Sequence, residues 1–574
     1  MRHFFHDFLT FQTSSKYMKQ SRIIFFILAS ISSLLLVFVA LKNPQSLYSD
    51  SAWQMKALQQ FIAGDSPSFN HLVRPSYNDL AVNEAIWITW WPPGTNLLTY
   101  PLVAQGIPVG MSIRIIAISS FVLGSLGWIC WFSLFDLPMW IGVILAVAIP
   151  SLRYGNHALF QYSAEVLVYG YAPWLLLATY QFSKIWQNET IHIKNWVKFL
   201  IISPVMGLII GFAFILKYSL LFIVLGALIY LGFQCTNNSL QPKNSKLTAY
   251  LLVCLFSAIP LLTLNLVNQN LGKTANLVTA TAKIISLKWQ TFIYLIANPA
   301  LAMTDAELLG KTLLLNFQHS SAPNSLWIGL IGLPGGILLL WLILRRQERA
   351  VSEASLLAKI VFFTSMAAIF GIWSVGATVS YEARHLTAAS LAILPVALQS
   401  GCELWNKKSD SFLIKVSLCT AAIFYLAIPV AYSSTSILVK ARETSVNYTP
   451  ASSQIYNPWL ASQDLARVRT ELVKDFNNQT DIWYLPDPVA ALDLPGRAII
   501  THADFYGGLQ DTNLHRQAFY TSIPLRVHVL LPPSFEDNGK GAAIRSSFPQ
   551  ADEWIYREIE ESNYVKWIST LEVK

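Results

Sequence analysis

The sequence predicts a polytopic α-helical membrane protein, about 11 transmembrane helices long, with a C-terminal extracytoplasmic α/β or α+β soluble domain. Three observations predict it. Of 574 residues, 54% are hydrophobic and 13% charged, where a soluble protein averages about 25% charged. Apolar runs of roughly 20 residues, long enough to cross a bilayer, recur along the chain. Residues 433–574, by contrast, have an ordinary soluble composition.

Residues 1–22 form a cytoplasmic N-terminus with Arg2, Lys16, Lys19 and Arg22. The apolar run 23–41 is too long for a signal-peptide core and no A-x-A site follows, so it is taken as a retained first helix. Further spans fall at 112–135, 139–152, 164–182, 196–216, 218–233, 247–267, 326–344, 356–379, 386–400 and 412–432, completing a membrane domain over 23–432. Positive charge sorts them. Lys184 and Lys194, Lys243 and Lys246, Arg345, Arg346 and Arg349, and Lys407 and Lys408 all fall in cytoplasmic loops. The long loops 42–111 and 268–325, and the domain 433–574, then face outward from a plasma or inner membrane. In that domain 464–473 reads as an amphipathic helix, 481–485, 497–501 and 525–531 as strands, and 550–561 as a closing helix.

The net charge of +8 is not a nucleic-acid signal. Residues 433–574 hold 13 Lys/Arg against 17 Asp/Glu, so the basic excess belongs to the membrane part, where it serves topology and contact with membrane lipids. The five cysteines lie in or beside hydrophobic spans without CxxC spacing, which argues against disulfides and zinc.

The first long loop carries the most chemistry. After Tyr48-Ser49-Asp50, residues 51–63 put Trp53, Ala57, Leu58, Phe61 and Ile62 on one helical stripe and end at Gly64-Asp65-Ser66-Pro67. Such a helix would lie in the membrane interface with its apolar face in lipid. Asp50 at its start is an N-cap, which stabilises a helix by about 1 kcal/mol, or an active-site acid. Trp87-Ile88-Thr89-Trp90-Trp91-Pro92-Pro93-Gly94 follows as an aromatic anchor and rigid turn.

This order of a first helix, an Asp opening an interfacial helix, Gly64-Asp65, and Pro92-Pro93-Gly94 before the next span resembles the GT-C glycosyltransferases. These use dolichyl- or undecaprenyl-phosphate sugars and include protein O-mannosyltransferases and the aminoarabinose transferases of lipid A. The resemblance covers roughly residues 20–400. It implies that Asp50 is the principal acid, with Trp91 in the position before the paired prolines. It implies a second acid in the next outer loop; 153–163 has none, and Glu165 follows at once. It also implies cations for a lipid phosphate, at Lys217-Tyr218 and at Arg384-His385, with Arg153, His157 and Arg74 as weaker candidates. The loop 268–325, with Asp305, Glu307 and Lys311, corresponds to one that closes over the substrates.

The chemistry wants these residue types. An acceptor attacking an anomeric carbon needs a carboxylate base. A departing lipid phosphate needs Arg, Lys or a divalent cation, for which Asp50 and Glu165 are possible ligands. The expected function is an inverting transfer from a polyprenyl-phosphate-linked sugar donor to an acceptor glycan, lipid or protein on the outer face. A lipid-linked polysaccharide ligase or polymerase, a transporter and a non-enzymatic assembly protein are the alternatives. Against a transporter, charges are scarce in mid-span and gather at the outer rim.

Overall fold

The computed structural model describes residues 16–43, 45–76, 82–89, 91–188, 193–237, 243–271, 288–304, 306–307, 326–345, 352–375, 381–406, 412–445, 470–478, 480–485, 488–500, 526–531, 539, 542, 554–559 and 565–569. Among them, eight helices are long and apolar enough to cross a membrane: Ile23–Leu41, Val109–Phe132, Tyr218–Thr236, Lys246–Leu271, Leu326–Leu344, Glu353–Ser374, Ala383–Asn406 and Phe412–Thr435. The protein is an α-helical membrane protein. The span predicted over 139–152 is shorter, at Met139–Ala148. Ten residues rise about 15 Å, half the thickness of the hydrocarbon core. Pro150 follows the C-cap residue Ile149 and has no N–H to bond back to Ala146 O, so the ladder does not continue.

The helices are α1 Lys16–Leu41, α2 Ser49–Ile62, α3 Gly94–Val103, α4 Val109–Phe132, α5 Met139–Ala148, α6 Arg153–Phe160, α7 Glu165–Asn188, α8 Ile193–Leu216, α9 Leu221–Asn237, α10 Lys243–Leu271, α11 Trp289–Thr304, α12 Leu326–Leu344, α13 Glu353–Ser374, α14 Thr387–Asn406, α15 Phe412–Ala422 and α16 Ile428–Ser445. A π turn over Ile423–Ala427 joins the last two. Pro429 has no N–H to give back to Tyr425, which accounts for the break in α-helical pairing. Tyr425 fastens this turn to α12, donating its hydroxyl to Ile331 O (2.6 Å) and accepting from Gly335 N (3.2 Å). The helical run continues to Ser445, past residue 433 where composition begins to change. No disulfide joins the five cysteines.

Short strands organise one face of the bundle. β1 (Ser46–Leu47) pairs in parallel with β4 (Gln161–Tyr162). β2 (His71–Pro75) and β3 (Asn83–Trp87) form an antiparallel hairpin that the sequence pattern did not reveal. Arg74 stands opposite Glu84 in it and pairs with it at 2.9 Å, an ordinary cross-strand ion pair.

The C-terminal region is α/β. Its five-stranded sheet runs β6 (Arg497–Ile500), β5 (Asp481–Leu485), β7 (Arg526–Leu531), β9 (Val565–Ser569), β8 (Trp554–Glu558). The first three are parallel, and β9 is antiparallel to both its neighbours. The three predicted strands match. The helix predicted over 550–561 is instead β8, whose ladder with β9 overrides the helix-favouring acidic residues around it. Of the helix predicted over 464–473, only 470–473 are described, and they are helical.

A buried polar network fixes this sheet. The Asp481 carboxylate accepts from Asn477 N (2.9 Å) and Thr480 Oγ1 (2.8 Å), pairs with Arg526 (2.8 Å) and faces His528 Nε2 (2.8 Å). Burial first, then the Lys566 ammonium, push His528 down to about 4 from 6.5. The unfolded chain therefore binds more protons than the folded one between pH 6.5 and 4. The sheet is expected to lose about 3 kcal/mol as pH falls through that window. Thermal unfolding at pH 7 and pH 4.5 checks this, and His528→Gln should flatten the dependence.

This sheet region does not stand apart. Trp53 and Ala57 of α2, with Leu72 and Ile88, share one core with Leu472, Trp483, Leu485, Ala490 and Leu530. On its other side α2 gives Ala52, Met55 and Leu58 to the core of the membrane domain. The expected lipid-facing helix is thus corrected to one packed between the membrane domain and the C-terminal sheet. Burial against protein removes the same apolar area from water that lipid would have done.

Candidate functional site

The site lies where β1 and β4 hold two loops together. Besides the strand pairing, Gln45 Nε2 donates to Ala158 O (2.7 Å) and Tyr48 N to Tyr162 O (2.9 Å). Asp50 follows β1 by three residues, and Glu165 follows β4 by three. Asp50 does not cap α2. The cap position is Tyr48, without a side-chain bond, and Asp50 sits in the first turn.

Helix packing brings in the cations. Gly207 and Gly211 of α8 lie against α10, where an added Cβ would come within 2.6 Å of Val253 O and 2.4 Å of Ser257 O. Such small-xxx-small spacing lets two membrane helices approach closely. It fixes α8, and so Lys217 just beyond its end. Lys217 Nζ reaches Glu165 Oε1 at 3.2 Å. Arg384 Nη1 reaches the same oxygen at 3.6 Å, while its Nε pairs with Glu382 at 2.6 Å. Arg384 also lies within the field of Asp50. All three groups at Glu165 are largely shielded, with side chains 17%, 17% and 35% exposed for Glu165, Lys217 and Arg384. In such a place charges act on one another more strongly than in water.

A cradle from the second long loop holds Arg384. Glu307 Oε2 accepts from Ala383 N (2.8 Å), and Asn298 Nδ2 donates to Tyr381 O (2.9 Å). The Tyr381 hydroxyl meets Thr291 Oγ1 at 3.0 Å. Glu307 had no assigned role in the sequence. Its one signal was an acid in an otherwise Ala- and Leu-rich stretch, where an ionisable group is costly without a task. Beside Arg384, His385 Nε2 is buried with no hydrogen-bond partner among the described residues.

The other candidates fall differently. The Tyr218 hydroxyl donates to Thr89 O (2.9 Å) and accepts from Asn268 Nδ2 (3.4 Å), while Trp87 Nε1 donates to Asn268 Oδ1 (2.8 Å). Tyr218 thus ties the Lys217 turn to the first loop. Trp91 packs against the core shared by α2 and the C-terminal sheet. Arg153 opens α6, and its side chain lies outside the described ones. His157 stacks obliquely near Tyr48, ring centroids 6.4 Å apart. Asp305 and Lys311 lie outside the described residues. Among the described residues no three His, Cys, Asp or Glu come together as a metal site.

Three chains of known structure match this one along most of its length. No family model matches the chain, and no curated protein does. ArnT from Cupriavidus metallidurans bound to undecaprenyl phosphate matches at 11% identity and TM-score 0.46, over 96% of this chain and 98% of that one. The archaeal oligosaccharyltransferase AglB from Archaeoglobus fulgidus, in complex with an inhibitory peptide and a dolichol-phosphate, matches at 10% and 0.49, over 97% and 75%. The arabinofuranosyltransferase AftD from Mycobacteria matches at 11% and 0.44, over 94% of this chain and 41% of that one. At these values the likeness carries no argument of its own; the weight rests on the geometry above.

One close approach sets the height of Lys217. Gly94, after the paired prolines, sits so near the end of α8 that a Cβ would fall 2.5 Å from Ile215 O and from Leu216 Cα. Gln54 Nε2 braces the same turn by donating to Pro92 O (2.8 Å). Gly94→Ala must push backbone against backbone, at about 1–3 kcal/mol. It is expected to lower thermal stability by that amount, read as a fall in the unfolding midpoint.

Proposed function

We propose that this protein is a membrane-embedded inverting glycosyltransferase that moves a sugar from a polyprenyl phosphate to an acceptor on the extracytoplasmic face. The observation that supports it is the convergence of Lys217 and Arg384 on one oxygen of Glu165, beside Asp50. Two cations shielded from water and held by a carboxylate form a seat for a phosphate monoanion or dianion. Glu165 keeps them in place and charged before the donor arrives.

The step is a single displacement. The acceptor hydroxyl attacks the anomeric carbon as Asp50 takes its proton. The bond from that carbon to the phosphate oxygen breaks, and its electron pair leaves on the lipid phosphate. Lys217 and Arg384 stabilise the charge developing there. Asp50 and Glu165 are the acids that would hold a divalent cation, which would there offset charge on the departing phosphate.

Polar placement favours this over transport. Among the described residues, ion pairs of the bundle stand at its ends: Lys184 with Glu353 at 3.8 Å, and the Glu165 cluster at the other end. A transporter would set such groups near mid-bilayer.

Binding of a short polyprenyl phosphate to the purified protein in nanodiscs tests the seat. Lys217→Ala is expected to weaken it 10- to 100-fold, the loss of one charge-assisted contact of about 1.5–3 kcal/mol. Unchanged affinity would remove the seat from this place.

A further inference from the structure

A second polar cavity, outside the Glu165 cluster, opens between α2, the β2–β3 hairpin and the C-terminal sheet region, with a volume of about 610 Å³. Its walls are fastened rather than merely adjacent. Gln60 clasps the hairpin, with Nε2 donating to Val73 O (2.7 Å) and Oε1 accepting from Val73 N (2.8 Å). Lys56 Nζ donates across to Ala491 O (2.7 Å), and Gln59 Nε2 lies 3.4 Å from Leu492 O. The cavity is therefore a built space between three secured elements.

We infer that this cavity is a binding site for an oligosaccharide, and that it holds the part of an acceptor glycan distant from the reacting hydroxyl. The inference rests on the glycosyltransferase reading of the Glu165 site only for the word acceptor; binding of the glycan stands without it.

The chemistry of the walls selects the ligand class. Side-chain amides from Gln59, Asn83 and Asn478 each donate and accept, as sugar hydroxyls require. Lys56 and Arg497 bring donors for ring and glycosidic oxygens, and Asp65 brings an acceptor. Between them Ala63, Val73, Leu494 and Pro495 offer small apolar patches against which the C–H faces of a pyranose can lie. A lipid chain would leave these amides unsatisfied, at roughly 1–3 kcal/mol each. A phosphate alone would fill little of the space.

Location supports the same ligand. Asp50 and Gln59 stand on one helix, nine positions apart. At 1.5 Å per residue that is about 14 Å, which a short oligosaccharide bridges.

Saturation-transfer NMR on the full-length protein in nanodiscs tests this, with maltotriose, triacetylchitotriose and trigalacturonate as probes. At least one trisaccharide is expected to bind, and Arg497→Ala and Asn83→Ala are each expected to raise its Kd five-fold or more. Asn83 is exposed on the hairpin, so that variant keeps its fold, checked by an unchanged unfolding midpoint. Failure of all three sugars at millimolar concentration, or affinity indifferent to both variants, overturns the inference. Binding of inorganic phosphate alone, with none of the sugars, overturns it too. Asp50→Asn should leave trisaccharide binding intact. Transfer that persists in Asp50→Asn would sink the catalytic reading while leaving the cavity assignment standing.

Discussion

Asp50→Asn is expected to lower sugar transfer about 10²–10⁴-fold, the usual contribution of a positioned general base, while donor binding stays within a few-fold of the parent. The substitution keeps size and shape and removes the ability to take a proton together with one negative charge near Arg384. Asp50 lies in the first turn of α2, past the cap position at Tyr48, so the unfolding midpoint separates any loss of helix stability, about 0.3–1 kcal/mol, from loss of transfer. The assay is transfer in reconstituted membranes, with unfolding midpoint and donor affinity measured alongside. A variant that transfers at the parental rate would return Asp50 to an electrostatic neighbour of Arg384.

Arg384→Ala is expected to do two separable things. It removes one of the two cations facing the leaving phosphate, at a cost of roughly 10²–10³ in kcat. It also leaves Glu165 and Glu382 short of a partner, at about 2–3 kcal/mol of stability. The double variant Arg384→Ala/Glu165→Gln removes one of those uncompensated charges. Much of the stability should return and the activity should not. Arg384→Lys is a poor substitute, because one guanidinium reaches Glu165 through Nη1 and Glu382 through Nε at once. If the double variant regained transfer, the role of Arg384 would be charge compensation alone.

The membrane domain and three strands were legible because hydrophobic length and β-branched runs are local signals. Lys217, Glu165 and Arg384 were legible as charges at helix ends in an apolar chain. Their meeting on one carboxylate oxygen was not, since it depends on the Gly207–Gly211 contact and on Gly94, hundreds of ångströms of chain apart in sequence and adjacent only when packed. Glu307 was named without a role because its partner is a backbone N–H, which no side-chain pattern encodes. The destination of α2 was misjudged for a related reason. An amphipathic stripe states that a face is buried and does not say whether lipid or a distant sheet covers it. The strand at Trp554–Glu558 was misjudged because ladder partners seven to fifteen residues onward decided it.

The last helical run, α15 to α16, is mostly bare toward lipid and is fastened at its middle by Tyr425. It is also the covalent leash of the sheet that covers Trp53. A leash converts docking into an intramolecular event, with an effective concentration on the order of millimolar for short flexible linkers. Docking of the sheet on α2 therefore carries no cost for bringing two separate molecules together.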